Sequence, residues 1–346
     1  MYDSNAVPII RFEGVCKEYK GRSVLSDVNL EVKSKEIFGI IGLSGSGKTT
    51  LLNLLIGFIK PSDGDILFHA EHLLEYDTTD VFRSVFARPK EVKKLFGFAS
   101  QYPSFYSELS VIENLRYFGS LYNLSSDLLD SNIHSLLYLM DLYEAKDVLG
   151  GHLSGGMQRR LDIACALIHD PKVLILDEPT SDLDVQLRKH IWHLLRKINE
   201  KGTTILLSSH HLEDLEYSCD KIAIINDSKI ISFGTPDDLK NSYAREVEIQ
   251  VETVRGQYER MLANIRSNIV PEKTREFEHK LFVYTTSVED SLNKIMQSIV
   301  STNDVLLDLI VRKPSLQEVF ESLTKSKNTV LKDRMKYQGS RDRKQK

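Results

Sequence analysis

Glu36-Ile-Phe-Gly-Ile-Ile-Gly42-Leu-Ser-Gly-Ser-Gly-Lys48-Thr49-Thr-Leu-Leu-Asn-Leu-Leu-Ile56 is the stretch that constrains this chain most. Its first part, Glu36–Ile41, is an apolar run that predicts a strand buried on both faces. The run ends in glycines beginning at Gly42, and Thr49–Ile56 predicts a helix. Between them, Gly42-Leu-Ser-Gly-Ser-Gly-Lys48-Thr49 fits the spacing G-x-x-x-x-G-K-[ST]. Glycines there let the backbone wrap phosphates closely with its N–H groups as donors. The helix presents its positive end to the same anion. Gly42, Ser44, Gly45, Ser46, Gly47, Lys48, Thr49 and Thr50 are therefore candidate nucleotide-binding residues. Lys48 is expected on the β- and γ-phosphates, and Thr49 as a ligand of Mg²⁺.

Three more apolar runs share the habit of ending in a polar group. Leu95–Ser100 ends at Gln101, Val173–Leu176 at Asp177 and Glu178, and Thr203–Ser209 at His210. Ligands of open α/β sheets sit outside the carboxyl ends of the strands, so parallel strands would gather these groups at one mouth. Asp177 is expected to hold Mg²⁺, and Glu178 to polarise an attacking water as general base. Residues 102–170 carry helical patterns, Val111–Leu121 and Ser131–Leu142 among them, and few strand signals. They read as a helical subdomain inserted into the sheet domain. The preceding stretch, His69–Lys94, is acidic in its first half (Glu71, Glu75, Asp77, Asp80) and basic in its second (Arg83, Arg88, Lys90, Lys93, Lys94). Its expected state is a solvated loop or helix face.

The bulk numbers fit a globular protein of two domains. There are 346 residues, 41% hydrophobic and 27% charged, with a net charge of −4. That balance lacks the basic footprint of a nucleic-acid partner. No apolar run approaches the length of a membrane span, and the N-terminus lacks the pattern of a secretory signal. The three cysteines, Cys16, Cys165 and Cys219, are scattered singly and predict reduced thiols rather than a disulfide frame or zinc site.

Leu153-Ser154-Gly155-Gly156-Met157-Gln158 opens an amphipathic helix, Met157–Ile168, with a second glycine-lined helix end. From here LSGGMQRRLDIACALIHDPKVLILDEPTSDLD resembles, over its whole length, the signature-to-Walker-B block of ABC ATPases. GLSGSGKTTLL resembles their Walker A loop, FGFASQ their Q-loop, and the Ser208–His211 sequence SSHH their switch region. The likeness runs from about Ile10 to Leu239. It implies an α/β P-loop NTPase fold with the inserted helical subdomain at about 102–170. It also implies ATP and Mg²⁺ as cofactors, ATP hydrolysis, and a separate integral membrane permease as partner.

The resemblance further implies individual roles. Tyr19 would stack on adenine. Gln101 would touch Mg²⁺ or the water and report occupancy to the permease. Ser154, Gly155, Gly156 and Gln158 would face the ATP of a second ATPase subunit, and Asp184 of the D-loop would couple the two sites. His210, rather than the adjacent His211, would contact the γ-phosphate. Position 182 departs from the family: it is Asp, where Gly or Ala is usual. Whether the second subunit is identical or a related chain is left open. Ribosome- and chromosome-type relatives carry two cassettes or long coiled coils, neither of which is present, and a scaffold without turnover would lack Glu178 or His210.

The expected domains are 9–240 for the ATPase, 245–326 for a C-terminal accessory domain, and 327–346 for a basic, disordered tail. From Leu331 on, that tail has seven Lys/Arg against two Asp. Strand-like runs Glu246–Glu252, Glu276–Glu278, Leu281–Thr285 and Val305–Val311, with helices Gln257–Ile269 and Glu289–Ile299, give the order βαββαβ. That order suggests a small α+β ferredoxin-like domain. Pro314-Ser-Leu-Gln-Glu-Val-Phe320 resembles the accessory domain of ABC-2 exporter ATPases. The expected location is cytoplasmic, peripheral on the inner face of the membrane through the permease.

Overall fold

Alternating apolar residues make β1 (Pro8–Tyr19) and β2 (Arg22–Lys33) an antiparallel hairpin with one face in the core. Lys20 and Gly21, at φ 50° and 79°, form its two-residue turn, the backbone handedness that suits strand twist. This computed structural model describes residues 8–69, 82–87, 89–243, 247–256, 258, 262, 273–277, 280–313, 315–321 and 323. After the hairpin, β3 (Ile37–Gly42) leads into α1 (Lys48–Leu55). β4 (Asp63–His69) and β5 (Phe82–Ser84) extend the hairpin into a four-stranded antiparallel sheet, in the order β2-β1-β4-β5.

The stretch 69–94 is thus more than a solvated loop. His69 and Phe82–Ser84 pair in a sheet, a short helix α2 covers Pro89–Val92, and Val85 and Val92 are buried. Its acidic positions 71, 75, 77 and 80 lie outside the described residues. Along the chain follow β6 (Phe96–Ala99), α3 (Val111–Ser120), α4 (Ser126–Leu139), α5 (Gly155–Leu167), β7 (Val173–Asp177), α6 (Val185–Glu200), β8 (Thr204–Ser209), α7 (Leu212–Ser218), β9 (Lys221–Asn226) and β10 (Lys229–Gly234). The second sheet has the order β10-β9-β3-β8-β7-β6. β9, β3, β8, β7 and β6 run parallel, and β10 closes one edge antiparallel.

Every residue of β3, β7 and β8 is buried. That is why these strands read as continuous apolar runs. Each buried Leu or Ile there contributes roughly 1.5–3 kcal/mol. Between β6 and β7 the chain is helical, as expected. The observed α4 begins five residues before the expected start, because Ser125 caps it by accepting from the Leu128 N–H. Helix α5 lies unusually close to β6. A Cβ at Gly97 would collide with the carbonyl oxygen of Ala166, so only glycine fits.

His169, just past α5, ties that helix to the sheet edge. Its Nε2 lies 3.2 Å from the Phe96 carbonyl, its ring stacks on Tyr122 at 3.6 Å and 5°, and its buried Nδ1 has no partner. Burial holds its pKa down to about 4, against an ordinary 6.5. A proton on Nδ1 would find no acceptor. Because the folded value is the lower one, the neutral ring's contribution is complete above about pH 6.5 and is lost as pH falls towards about 4. Between about pH 7 and pH 4.5 the parent should lose roughly 2 kcal/mol more stability than His169→Asn, which cannot take up the proton. Urea unfolding at the two pH values measures this difference.

Contacts divide the chain into Met1–Thr235 and Pro236–Lys346. Helix α8 (Pro236–Tyr243) therefore groups with the second unit, a few residues ahead of the sequence-expected boundary. That unit holds β11 (Val247–Thr253), β12 (Lys273–Phe277), β13 (Lys280–Thr285), α9 (Val288–Ser301) and β14 (Leu306–Arg312). Its sheet is antiparallel throughout, in the order β12-β13-β11-β14. Ile249, Val251, Tyr258, Leu281, Val283, Ile295 and Ile299 form its core. The helix expected over Gln257–Ile269 falls almost wholly outside the described residues, as does the tail. In the 315–320 motif, Ser315 and Glu318 bond reciprocally at a helix start, and Leu316, Val319 and Phe320 are buried.

Candidate active site

The phosphate loop is built by close backbone approach. A Cβ on Gly42 would strike the Ser46 hydroxyl and lie 2.6 Å from the Ile225 carbonyl of β9. Gly47 has φ 109°, and its Cβ would lie 2.9 Å from both the Val24 carbonyl and the Leu25 side chain of β2. Gly47 precedes α1 without any side-chain cap, which leaves the first N–H groups of the helix for another acceptor. The Ser46 hydroxyl is buried and unpartnered. An anion in this cradle would satisfy both.

The ends of β3, β7 and β8 converge around that loop. Lys48, 8% exposed, donates from Nζ to the Gly42 carbonyl at 2.9 Å and stands 3.6 Å from Glu178 Oε1. Glu178 Oε2 meets His210 Nδ1 at 2.7 Å and accepts from the His210 N–H at 3.2 Å. Asp177 accepts from Thr49 Oγ1 at 2.8 Å with one oxygen and from Ser208 Oγ at 2.5 Å with the other. The Ser208 hydroxyl also accepts from the Glu178 N–H at 3.0 Å. Lys48, Thr49, Asp177, Glu178 and His210 thus form one bonded cluster at the mouth of the parallel sheet. Glu178 holds φ 49°, left-handed for a β-carbon residue. The cluster offers a cation for phosphate, hard oxygens for a divalent ion and a carboxylate for a proton.

The remaining sequence-derived positions lie elsewhere. Tyr19 ends β1, 45% exposed, with Lys17 Nζ 5.1 Å from its ring centre. Gln101 is exposed in the loop after β6, outside the bonded cluster. Ser154 caps α5 by accepting from the Met157 N–H at 3.4 Å; Gly155 is exposed, and a Cβ on Gly156 would press on Leu187. Gln158 donates to the Gly150 carbonyl at 3.1 Å. Asp184 caps α6, accepting from the N–H groups of Gln186 and Leu187 at 2.9 Å each. Asp182 has φ 61°, a conformation that Asp tolerates better than most residues with a side chain. His211 does not reach Glu178 through any described bond. Its pKa is lowered by burial and by His210 beside it.

Sequence reasoning missed Ser208, which fixes Asp177 and Glu178 together. The available signal was a hydroxyl inside an otherwise apolar strand. It also missed Arg159, whose guanidinium lies against Asp162 at 3.1 Å beneath the same strand ends.

A family model described as ABC transporter matches residues 25–181. The linearmycin resistance ATP-binding protein LnrL of Bacillus subtilis is 30% identical over 319 residues, covering 91% of this chain and 98% of that protein. The Nod factor export ATP-binding protein I of Cupriavidus pinatubonensis is 34% identical over 278 residues, covering 80% of each. This chain belongs to the ABC transporter ATP-binding proteins. An ATP-binding subunit of an ABC transporter matches its fold with a TM-score of 0.59 at 27% identity, over 68% of this chain and 93% of that one. The cbiO1 protein of Clostridium perfringens matches with 0.59 at 28% identity, over 67% and 90%.

As an ABC transporter subunit the chain is an ATPase that powers transport. Among the described residues no helix is long and apolar enough to cross a membrane.

Proposed function

We propose that this ATPase hydrolyses MgATP at the Lys48–Glu178–His210 cluster, with Glu178 as general base. The observation that carries the reading is the placement of one carboxylate between a loop lysine and a strand-end histidine, beside the Thr49–Asp177 pair. Lys48 and the loop N–H groups bind the β- and γ-phosphates, and Tyr19 stacks on adenine. Thr49 and Asp177 are two hard oxygen donors already 2.8 Å apart. Mg²⁺ typically takes one or two protein oxygens together with phosphates and waters, so this donor set fits it, with Gln101 as a further contact. When bound, Mg²⁺ supplies charge neutralisation on the phosphates. Glu178 orients water and takes its proton, and His210 holds Glu178 and the γ-phosphate side of the site.

Two copies close over two ATP molecules, each site completed by Ser154, Gly155, Gly156 and Gln158 of the mate, with Asp184 at the seam. The exposed Ser154–Gly155 tip supports this reading, since none of the described residues covers it. A size-exclusion comparison in MgATP tests it. Glu178→Gln should form a stable dimer, and adding Ser154→Arg should return it to monomer. An unchanged dimer would count against the shared site.

The partner is an integral membrane permease, which places the chain peripherally on the cytoplasmic face. Its dock is the groove of about 430 Å³ lined by Phe58, Phe98, Phe118, Tyr122 and Ser104, next to the loop after Gln101. Of the loop aromatics, Phe105 is packed against Gly150 and Tyr106 lies edge-on to Tyr117 at 4.8 Å. Tyr102 is 78% exposed and is the one free for a partner. Relatives named for export and resistance favour outward transport. The second unit is read as a ferredoxin-like accessory domain, supported by its strand order β12-β13-β11-β14.

A further inference from the structure

Arg159 lies one turn into α5, with its side chain 9% exposed. Its Nε donates to the Pro179 carbonyl at 3.0 Å and one terminal nitrogen to the Asp177 carbonyl at 3.1 Å. The other terminal nitrogen donates to the Ser100 carbonyl at 2.6 Å and to Asp162 at 3.1 Å. These carbonyls are not scattered. Asp177 and Pro179 flank Glu178, and Ser100 precedes Gln101. Asp162, 1% exposed, accepts from the N–H and hydroxyl of Ser104 at 2.9 and 2.5 Å. One buried ion pair therefore grips both neighbours of Glu178 and both ends of the segment that carries Gln101.

The need for such a grip is visible in the backbone. Glu178 sits at φ 49°, a conformation that persists when surrounding bonds over-determine it. Three different nitrogens of one planar fork reach the three carbonyls, whereas an ammonium holds its three donors on a single atom. Burial presses on both partners, lowering the Arg159 pKa and raising that of Asp162. The arrangement is stable only with every donor and acceptor satisfied.

We propose that Arg159 is a positioning residue for ATP hydrolysis: it fixes the backbone on both sides of Glu178 and at the root of Gln101, tying both to the helix whose tip is Ser154–Gly156. The inference rests on Glu178 and Gln101 acting at the γ-phosphate. It goes beyond that reading by assigning their placement to a residue whose side chain bonds to their backbone neighbours and to Asp162.

The test uses the full chain, with MgATP turnover and nucleotide binding measured side by side. Arg159→Met should lower kcat about 10- to 100-fold with KM within about threefold, as expected when a reacting group is misplaced by a fraction of an ångström to an ångström. Arg159→Lys keeps the charge but cannot span the three carbonyls, and should lose about 5- to 20-fold in kcat. Low-millimolar guanidinium should restore several-fold of kcat to Arg159→Ala, while urea of the same shape should not. A folded Lys or Met variant with parent kcat, or a loss confined to KM, overturns the proposal. So does a drop in melting temperature with unchanged turnover. If Arg159→Met fails to fold, the Lys variant alone decides. Glu178→Gln is run in parallel: full turnover there sinks the catalytic reading itself, whereas an inactive Glu178→Gln beside fully active Arg159 variants sinks only the positioning role.

Discussion

Glu178→Gln should turn ATP over about 10²- to 10⁴-fold more slowly than the parent, the span that general-base catalysis supplies. The amide keeps the size of the side chain and can still bond His210, so the pocket should hold. What it loses is the basic oxygen that takes a proton from water and the charge that Lys48 faces at 3.6 Å. Nucleotide affinity should stay the same or rise, because a negative side chain near the phosphates is removed. A single-turnover assay with a parallel binding titration separates the two effects. Parent-like turnover would show that the proton goes elsewhere.

Lys48→Ala is expected to fail in the opposite way, at binding. Charge-assisted hydrogen bonds to phosphate contribute roughly 1.5–3 kcal/mol each. ATP affinity should therefore fall about 10- to 100-fold, and turnover at saturation by a further factor of about 10² as transition-state charge loses its cation. The substitution also leaves the buried Glu178 carboxylate without the positive neighbour it has in this structure. Some loss of thermal stability should accompany the loss of affinity. A fluorescent-nucleotide titration beside a melting curve measures both. Unchanged affinity would mean that the loop N–H groups carry the phosphates alone.

The parts of this site that sequence made legible are those whose chemistry is local. A glycine loop with Lys-Thr at its end leads from a strand into a helix, and Asp177, Glu178 and His210, which end two of the apolar runs, meet beside it, while Gln101 stays outside the bonded cluster. What stayed hidden depends on tertiary placement. The hairpin of β1 and β2 was not foreseen, because register shifts around Gly14 and Asp27 break its alternation of apolar and polar residues. The start of α4 was placed late, although Ser125 is an ordinary N-cap signal ahead of it. Arg159 and Asp162 looked like the polar side of an amphipathic helix. Their spacing of three residues puts them on one helix face, but nothing local says that this face lies under three carbonyls from two other segments. Asp184 shows the reverse case: the D-loop role leaves out that its carboxylate also caps α6.

Two of the contacts of helix α5 with the sheet lie far apart along it, the close pass of Ala166 by Gly97 and the fork of Arg159. Seven residues of helix separate them, about 10 Å along the axis. Two contacts that far apart resist a swivel of α5 against the strands more than either would alone. The Ser154–Gly156 tip lies one turn before Arg159, so its orientation is tied to the strand ends that the fork grips.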